Sequence, residues 1–212
     1  MNLSSWIGRH ARSRPDAVAI AEGAQPYATW AELAARVAAV AGGLRSVHGL
    51  LPGDRVAIVM RNRPEYLVAK FAAWHAGLVA VPVNARLHRE EIAYILEDSG
   101  SKVVLTDDEH ADDVAGLVPV VASLRAAVVA PGPDWDRLAA APIRAEEPAP
   151  DAPAWLFYTS GTTGRPKGAT LTHRNLLTMS LSYFADIDWI EPTDSVLHVA
   201  PLSHGSGLYG LP

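Results

Sequence analysis

The chain has 212 residues, of which 49% are hydrophobic and 19% are charged, and its net charge of −5 gives a sequence pI near 5.9. This composition is typical of a globular protein and lacks the basic surplus that a nucleic-acid-binding domain needs. The absence of cysteine excludes disulfide bonds, a thiolate nucleophile and cysteine metal sites. No apolar run reaches the length of a signal-peptide core or a membrane span, so we expect a cytoplasmic protein.

The first 50 residues predict two helices around two short strands. A helix is predicted before Pro15, and strands are predicted at 17–21 and 26–29. Thr29, with Glu32 three residues later, has the spacing of a capping box at the start of the second helix. That helix carries an apolar stripe formed by Leu33, Val37, Val40 and Leu44.

The next segment alternates strands with helices. Strands are predicted at 55–60, 79–83 and 102–106, with helices at 65–76 and 89–98 between them. These strands are nearly continuous in Val, Ile and Ala, which is typical of a buried parallel sheet with right-handed crossovers. The sequence therefore predicts an α/β fold with a mainly parallel sheet flanked by helices.

The region from 107 to 153 is less regular. It predicts strands at 118–122 and 126–130 and a short helix at 135–140, followed by a proline-rich exposed connection. Nearer the end of the chain, Thr172 is a candidate cap for a helix, and the last two predicted elements are that helix at 173–185 and a strand at 195–200.

The most specific motif is the run Tyr158-Thr-Ser-Gly-Thr-Thr-Gly-Arg-Pro-Lys-Gly168, which joins predicted strands at 154–159 and 169–172. Glycines let a backbone approach a phosphate, hydroxyls supply donors or a metal ligand, and lysine supplies a positive charge. The run does not fit a Walker loop, because Gly161 and Gly164 are too close together and the lysine is followed by glycine. A kinase glycine-rich loop fits no better.

This run resembles the phosphate-loop signature of adenylate-forming enzymes, the superfamily of acyl-CoA synthetases, luciferases and peptide-synthetase adenylation domains. Further segments resemble the family in the family's order, at 51–58, 62–65, 76–87 and 201–207. Family members are much longer, so the resemblance implies an N-terminal portion that is truncated before the second subdomain and the C-terminal domain. We expect N-terminal helices and short strands at 1–50, a sheet subdomain with the phosphate loop 158–168 at 51–189, and the start of a further subdomain at 190–212.

The resemblance also implies roles for individual residues. His204, in the pattern Pro201-x-x-His204-x-x-Gly207, is expected between the acyl pocket and the nucleotide, and Lys167 is expected to add positive charge near the phosphates. The hydroxyl of Thr162 is the candidate ligand for Mg²⁺. The residues expected to bind the β- and γ-phosphates of ATP, together with Lys167, are Thr159, Ser160, Gly161, Thr162, Thr163 and Gly164.

The implied reaction activates a carboxylic acid with ATP and then transfers the acyl group to the thiol of CoA. No Asp or Glu occurs between residues 197 and 207 to pair with an ammonium, which favours a fatty, aromatic or other simple acid over an amino acid. The alternatives are a carrier-protein thiol as acceptor, or a catalytically silent fragment that acts as a binding or folding module. A homodimer is expected if the apolar stripe of residues 33–44 is left uncovered.

Overall fold

The computed structural model describes residues 2–159, 165–208 and 210–212. The N-terminal elements are helix α1 (Ser5–Ser13), strands β1 (Val18–Glu22) and β2 (Gln25–Thr29), and helix α2 (Trp30–Ser46). The alternating segment follows as β3 (Arg55–Val59), α3 (Pro64–His75), β4 (Val79–Val83), α4 (Arg89–Ser99) and β5 (Val103–Thr106). After a 3₁₀ turn at Asp108–His110 come α5 (Ala111–Ala115), β6 (Ala126–Val129), α6 (Pro133–Leu138), β7 (Pro153–Thr159), β8 (Lys167–Thr172), α7 (His173–Asp186) and α8 (Gly205–Leu208).

The main sheet has six strands in the order β6-β5-β3-β4-β7-β8. All neighbouring pairs are parallel except β7 and β8, which form an antiparallel hairpin at one edge. Strands β1 and β2 form a separate antiparallel pair. The predicted α/β fold with a mainly parallel sheet is confirmed.

Alternate residues of each central strand face two different helix layers. In β3, Val56 and Ile58 pack in the core that contains α2 and α3, whereas Ala57 and Val59 pack in the core that contains α4 and α5. All four side chains are completely buried. Burial on both faces explains why the strand sequences are continuously apolar and lack a polar alternation.

Helix α2 begins with the predicted capping box. The Thr29 hydroxyl accepts a hydrogen bond from the Glu32 N–H at 3.3 Å, and the Thr29 N–H donates to the Glu32 carboxylate at 2.9 Å. The prediction that its apolar stripe lacks a partner is wrong, because Leu33, Val37, Val40 and Leu44 are all buried. Helices α1, α3 and α6 cover the stripe, so it gives no reason to expect a homodimer.

Close backbone contact brings α6 against α2. A Cβ at Gly43 would lie 2.1 Å from the carbonyl oxygen of Leu138, so a larger residue could not occupy this position. The side chain of Leu138 is itself completely buried. The short helix is thus fixed on the α2 face by a contact that only glycine permits.

Two predicted strands are wrong. Residues 118–122 form successive turns and no strand. Val121 packs in the core that contains α4 and α5, whereas Val120 is exposed. Residues 195–200 form no strand in the structure, and Val196, Leu197 and Val199 are 62%, 84% and 80% exposed. A strand needs a hydrogen-bonded neighbour, and no described segment pairs with this one.

Across the parts of the chain that the structure describes, no helix is both long enough and apolar enough to span a bilayer.

Candidate functional site

The carboxyl edge of the sheet collects the polar residues that follow the strands. Because β3, β4, β5 and β7 are parallel, their C-terminal ends lie at one edge, and the first residue of the antiparallel strand β8 lies there as well. Asn62 comes shortly after β3, and Asp107 comes directly after β5. Ligands of open α/β sheets bind at such an edge, which makes it the candidate site.

Thr159 and Lys167 lie opposite each other at the end of the β7–β8 hairpin. They form the last pair in the β7–β8 register, and both residues are exposed. The predicted phosphate contacts from Ser160 to Gly164, including the proposed Mg²⁺ ligand Thr162, lie outside the described residues. The two predicted phosphate contacts that the structure describes, Thr159 and Lys167, therefore offer a hydroxyl and an ammonium group to solvent at the carboxyl edge.

A glycine makes room for an aromatic ring beside this pair. Tyr158 lies opposite Gly168 in the register, and a Cβ on Gly168 would come 3.0 Å from the Tyr158 Cζ atom. The Tyr158 hydroxyl donates a hydrogen bond to the Asp98 carboxylate at 2.7 Å. Burial, reinforced by the negative charge of Asp98, raises the pKa of Tyr158 and keeps its hydroxyl protonated as a donor.

The segment that carries His204 is also shaped by a glycine. A Cβ on Gly207 would lie 2.3 Å from the carbonyl oxygen of Pro201, so the pattern Pro201-x-x-His204-x-x-Gly207 describes a compact turn that requires glycine. The His204 N–H donates to the Pro201 carbonyl at 2.9 Å, and the Gly207 N–H donates to the His204 carbonyl at 3.0 Å. Residue His204 is exposed, whereas the two residues before it, Leu202 and Ser203, are buried.

Asn62 attaches this turn to the end of β3. Its Nδ2 group donates to the carbonyls of His198 and Ala200 at 3.1 and 2.9 Å, and its Oδ1 atom accepts from the Leu202 N–H at 2.7 Å. No role for Asn62 was predicted beyond its place in the segment 62–65. The available signal was its position, because a polar residue just past a buried strand in an α/β sheet lies at the ligand-binding edge.

A charged network supports the backbone on both sides of Asn62. The Arg63 guanidinium contacts the carboxylates of Glu65 and Asp108, both at 3.0 Å. The nearly buried carboxylate of Asp107 accepts the Arg61 N–H at 2.8 Å and contacts the His110 ring at 2.5 Å. Burial opposes ionisation of Asp107, but these hydrogen bonds outweigh it and lower its pKa.

A buried amine lies near the same segment. The Lys70 ammonium group is completely buried and has no hydrogen-bond partner among the residues that the structure describes, and Nζ lies 4.2 and 4.9 Å from the ring centroids of Trp155 and Trp74. Burial holds the pKa of Lys70 well below its usual value. Burial, together with the positive charge of Lys70, also lowers the pKa of His198. His198, which was predicted to lie in a strand, lies in a loop within electrostatic range of Lys70 on α3.

The two predicted catalytic residues lie at the same edge on different segments. His204 follows the turn that Asn62 holds beside β3, and Lys167 lies beside the end of β7. Only β4 separates β3 from β7, so two strand spacings, about 10 Å, lie between these points of attachment. This separation suits a ligand of nucleotide size that spans the edge.

The described residues contain no group of three or more His, Asp or Glu side chains placed to hold a metal ion.

His173 was predicted to be a helix-start residue, and it is the first residue of α7. Its ring is buried, and burial lowers the pKa of His173 to about 4. The histidine therefore packs as a neutral side chain.

The fold and the arrangement at this edge match one enzyme family along nearly the whole chain. The model of the AMP-binding enzyme family matches residues 7–211, and the chain belongs to that family. Its fold is that of the N-terminal domain of acyl-CoA ligases.

Individual relatives agree with this assignment. A feruloyl-CoA synthase from Amycolatopsis sp is 42% identical over 97% of this chain and 40% of its own length. The inhibitor-bound N-terminal domain of FACL13 from Mycobacterium tuberculosis is 31% identical, with a TM-score of 0.89 over 99% of this chain and 54% of that one. ATP-bound MatB from Rhodopseudomonas palustris is 32% identical, with a TM-score of 0.84 over 99% of this chain and 42% of that one. The chain therefore spans about two fifths of the length of its curated relative.

Proposed function

We propose that this chain is the ATP-binding, N-terminal portion of a ligase that activates a simple carboxylic acid and transfers the acyl group to CoA. The observation that carries the proposal is the β7–β8 hairpin, which presents Thr159 and Lys167 together at the carboxyl edge of the sheet. Membership in the AMP-binding family supports a nucleotide ligand, and the ATP-bound structure of MatB supports ATP.

In the first half-reaction, a carboxylate oxygen of the acid attacks the α-phosphorus of ATP. A new oxygen–phosphorus bond forms, the bond to the β-phosphate bridge breaks, and the products are acyl-AMP and pyrophosphate. Because anions meet in this step, the protein lowers the barrier by neutralising charge and aligning the reactants. We assign the phosphate contacts to Thr159, to residues 160–164 and to Lys167, with the Thr162 hydroxyl next to Mg²⁺.

In the second half-reaction, the thiol sulfur of CoA attacks the acyl carbonyl carbon. A carbon–sulfur bond forms, the carbon–oxygen bond to AMP breaks, and the thiol proton passes to solvent. The thiol must come from outside the protein, because the chain contains no cysteine. His204 is assigned to the boundary between the acyl group and the nucleotide, on the turn that Asn62 holds beside β3.

The substrate class rests on the charge around His204. An ammonium group would need a carboxylate partner in the pocket, and residues 197–207 contain no Asp or Glu. The relationship to a feruloyl-CoA synthase supports an aromatic acid and CoA in particular. A fatty acid fits the same charge argument.

The test is product analysis with the ligase that we propose contains residues 1–212. Incubation with ATP, Mg²⁺, CoA and a panel of aromatic and fatty acids is expected to yield AMP, pyrophosphate and acyl-CoA. Reactions without acid are the control. Formation of ADP with an acyl phosphate would contradict the proposal, whereas acyl transfer only to a carrier protein would change the acceptor.

The isolated chain of 212 residues is proposed to be silent in both half-reactions. It spans about 40% of its curated relative, so groups that complete the nucleotide site are supplied by the remaining length. Exposed apolar side chains such as Ile187, Leu197 and Val199 favour self-association of the isolated chain. Acid-dependent ATP–pyrophosphate exchange should be absent, and light scattering should report a mass above the monomer. Robust exchange by pure 1–212 would contradict this proposal.

A further inference from the structure

The hairpin that ends at Thr159 and Lys167 is placed where it needs support. Strand β8 is the edge of the sheet, and its residues Lys167, Gly168, Ala169 and Thr170 are exposed. The end of a hairpin at a sheet edge opens easily, because one side has no neighbouring strand. Without further contacts, Lys167 would not keep a fixed position relative to the carboxyl edge.

Helix α4 contacts the first limb of the hairpin, by which we mean strand β7 with Tyr158 and Thr159 at its end. The Tyr158 hydroxyl donates to the Asp98 carboxylate at 2.7 Å, and the two residues are 60 positions apart in the sequence. A hydrogen bond to a carboxylate is stronger than one between neutral groups. The Tyr158 ring lies across Gly168 of the second limb, where a Cβ would come 3.0 Å from the ring.

The same helix contacts the second limb, by which we mean residues 165–172, that is β8 and the two residues before it. The guanidinium carbon of Arg165 lies 5.7 Å from the centroid of the Tyr94 ring, within the range of a cation–π interaction. Tyr94 and Asp98 are four residues apart on α4, so they project from the same face of the helix. One helix face thus contacts a residue before and a residue after the segment 160–164 of the phosphate motif.

Helix α4 is itself a rigid support. Its opposite face buries Ile92, Ile95 and Leu96 in the core beneath the sheet. The helix ends at Gly100 in the left-handed conformation, with φ +62°, which is a normal helix stop. The contacts to the hairpin are therefore made from a helix that is packed in the core.

We propose that Tyr94 and Asp98 form an anchor that fixes both limbs of the hairpin and so positions Lys167. They are positioning residues, since they act through Tyr158 and Arg165. The role of Lys167 toward phosphate rests on the proposed function, but the anchor itself does not.

The anchor is tested by limited trypsin digestion of the 212-residue chain. Trypsin does not cleave Arg–Pro bonds, so the accessible bond in the second limb is Lys167–Gly168. Mass spectrometry measures the rate at which this bond is cut. Tyr158→Phe keeps the ring and removes the hydroxyl, and Asp98→Ala removes the acceptor. Each should accelerate this cleavage by about three- to tenfold, and the double variant should do no more than either single one.

Three further variants define the cause. Asp98→Asn retains an acceptor oxygen and should restore slow cleavage, and Tyr94→Leu should accelerate it by removing the ring that faces Arg165. Glu97→Ala removes an equal charge from an exposed neighbour on α4 and should change nothing. Equal cleavage rates in Tyr158→Phe and the unsubstituted chain, or the same acceleration in Glu97→Ala, would overturn the anchor.

The functional consequence is measured separately in the complete ligase. Asp98→Ala should raise the KM for ATP about three- to tenfold while kcat changes less, because the hairpin must be ordered before phosphate binds. Faster cleavage with an unchanged KM for ATP would uphold the anchor and would count against the phosphate role of the hairpin. The two ideas can therefore fail independently.

Discussion

The Oδ1 atom of Asn62 accepts a hydrogen bond from the backbone N–H of Leu202 at 2.7 Å, across 140 positions of sequence. The Nδ2 group of the same side chain binds two carbonyls of the same segment. One amide therefore joins the end of β3 to the turn that carries His204. A side chain that makes three such bonds is expected to define the position of that turn.

Asn62→Ala should release the turn. We expect the free energy of unfolding to fall by about 1–2 kcal/mol, because three modest hydrogen bonds are lost at a solvent-exposed site. Asn62→Asp keeps the acceptor for Leu202 but loses both donor bonds. Hydrogen exchange of the Leu202 amide should therefore accelerate in Asn62→Ala and stay slow in Asn62→Asp.

Asn84 offers a matched control for that experiment. It also follows a buried strand, but among the described residues its side chain accepts only a local hydrogen bond, from the Arg86 N–H at 3.0 Å. Asn84→Ala should leave exchange at Leu202 unchanged. If the two alanine variants affect Leu202 equally, Asn62 has no special role in holding the turn.

Lys167→Ala should impair adenylation without affecting folding. The residue is exposed at the start of an edge strand, so its removal costs little packing. Loss of a charge from an oriented phosphate site typically costs about 2–4 kcal/mol in the transition state. In the complete ligase, acid-dependent pyrophosphate release at saturating substrate should fall about 30- to 1,000-fold while thermal unfolding is unchanged.

Lys102 supplies the control for Lys167. It precedes β5 and lies at the opposite, amino edge of the same sheet. Lys102→Ala removes the same charge at a distance from the proposed site, and pyrophosphate release should stay normal. Normal release in Lys167→Ala, or an equal loss in both variants, would refute the assignment of Lys167.

Much of the fold could be predicted because its signals are local. The capping box at Thr29, the helix cap at Thr172 and the continuous apolar strands depend on neighbours within a few residues, and the structure confirms them. The two strands that the phosphate motif joins were predicted for the same reason, and the structure adds that they pair antiparallel as a hairpin. The roles of Lys167 and His204 stay predictions, although the structure places both at the carboxyl edge.

The remaining features depend on distant parts of the chain. The apolar alternation at 195–200 could not reveal that no described strand lies beside it. The contact between Tyr158 and Asp98 and the bonds of Asn62 join segments far apart in sequence, and no local pattern marks them. Likewise, the stripe on α2 gave no sign that α6 would cover it.

His173 should make stability depend on pH in the acidic range. Its ring is 2% exposed, and burial lowers its pKa from 6.5 to about 4. Between these values the unfolded chain binds a proton that the folded protein excludes. Stability is therefore complete above pH 6.5 and is lost as the pH falls toward 4, by up to about 3 kcal/mol.

His173→Gln removes that titration. Denaturant unfolding at pH 7 and pH 4.5 should show a smaller loss of stability for His173→Gln than for the unsubstituted chain. Carboxylates titrate in both proteins and cancel in the comparison. His88→Gln removes an exposed histidine at another helix start and is the control for the substitution itself. An equal acid loss with and without His173 would show that the ring is not the cause.

Lys70→Met should stabilise the protein at neutral pH. The amine is completely buried and makes no hydrogen bond to any described residue, and burial lowers its pKa from the usual 10.5. The faces of Trp74 and Trp155 favour the protonated form by about 2 kcal/mol, but removing an ammonium group from water costs several kcal/mol, so burial is the larger effect.

The sign of the pH dependence follows from that lowered pKa. Below pH 10.5 the unfolded chain binds a proton at Lys70 that the folded chain resists, so stability falls as the pH decreases from 10.5 until the folded pKa is reached. Methionine fills a similar volume without a charge and removes this loss. Lys70→Met should therefore raise the free energy of unfolding at pH 7 by at least about 1 kcal/mol and flatten its dependence between pH 7 and 10. Lys102→Met, at a position that is only partly buried, should do neither, and a destabilised Lys70→Met would show that the folded protein uses the charge.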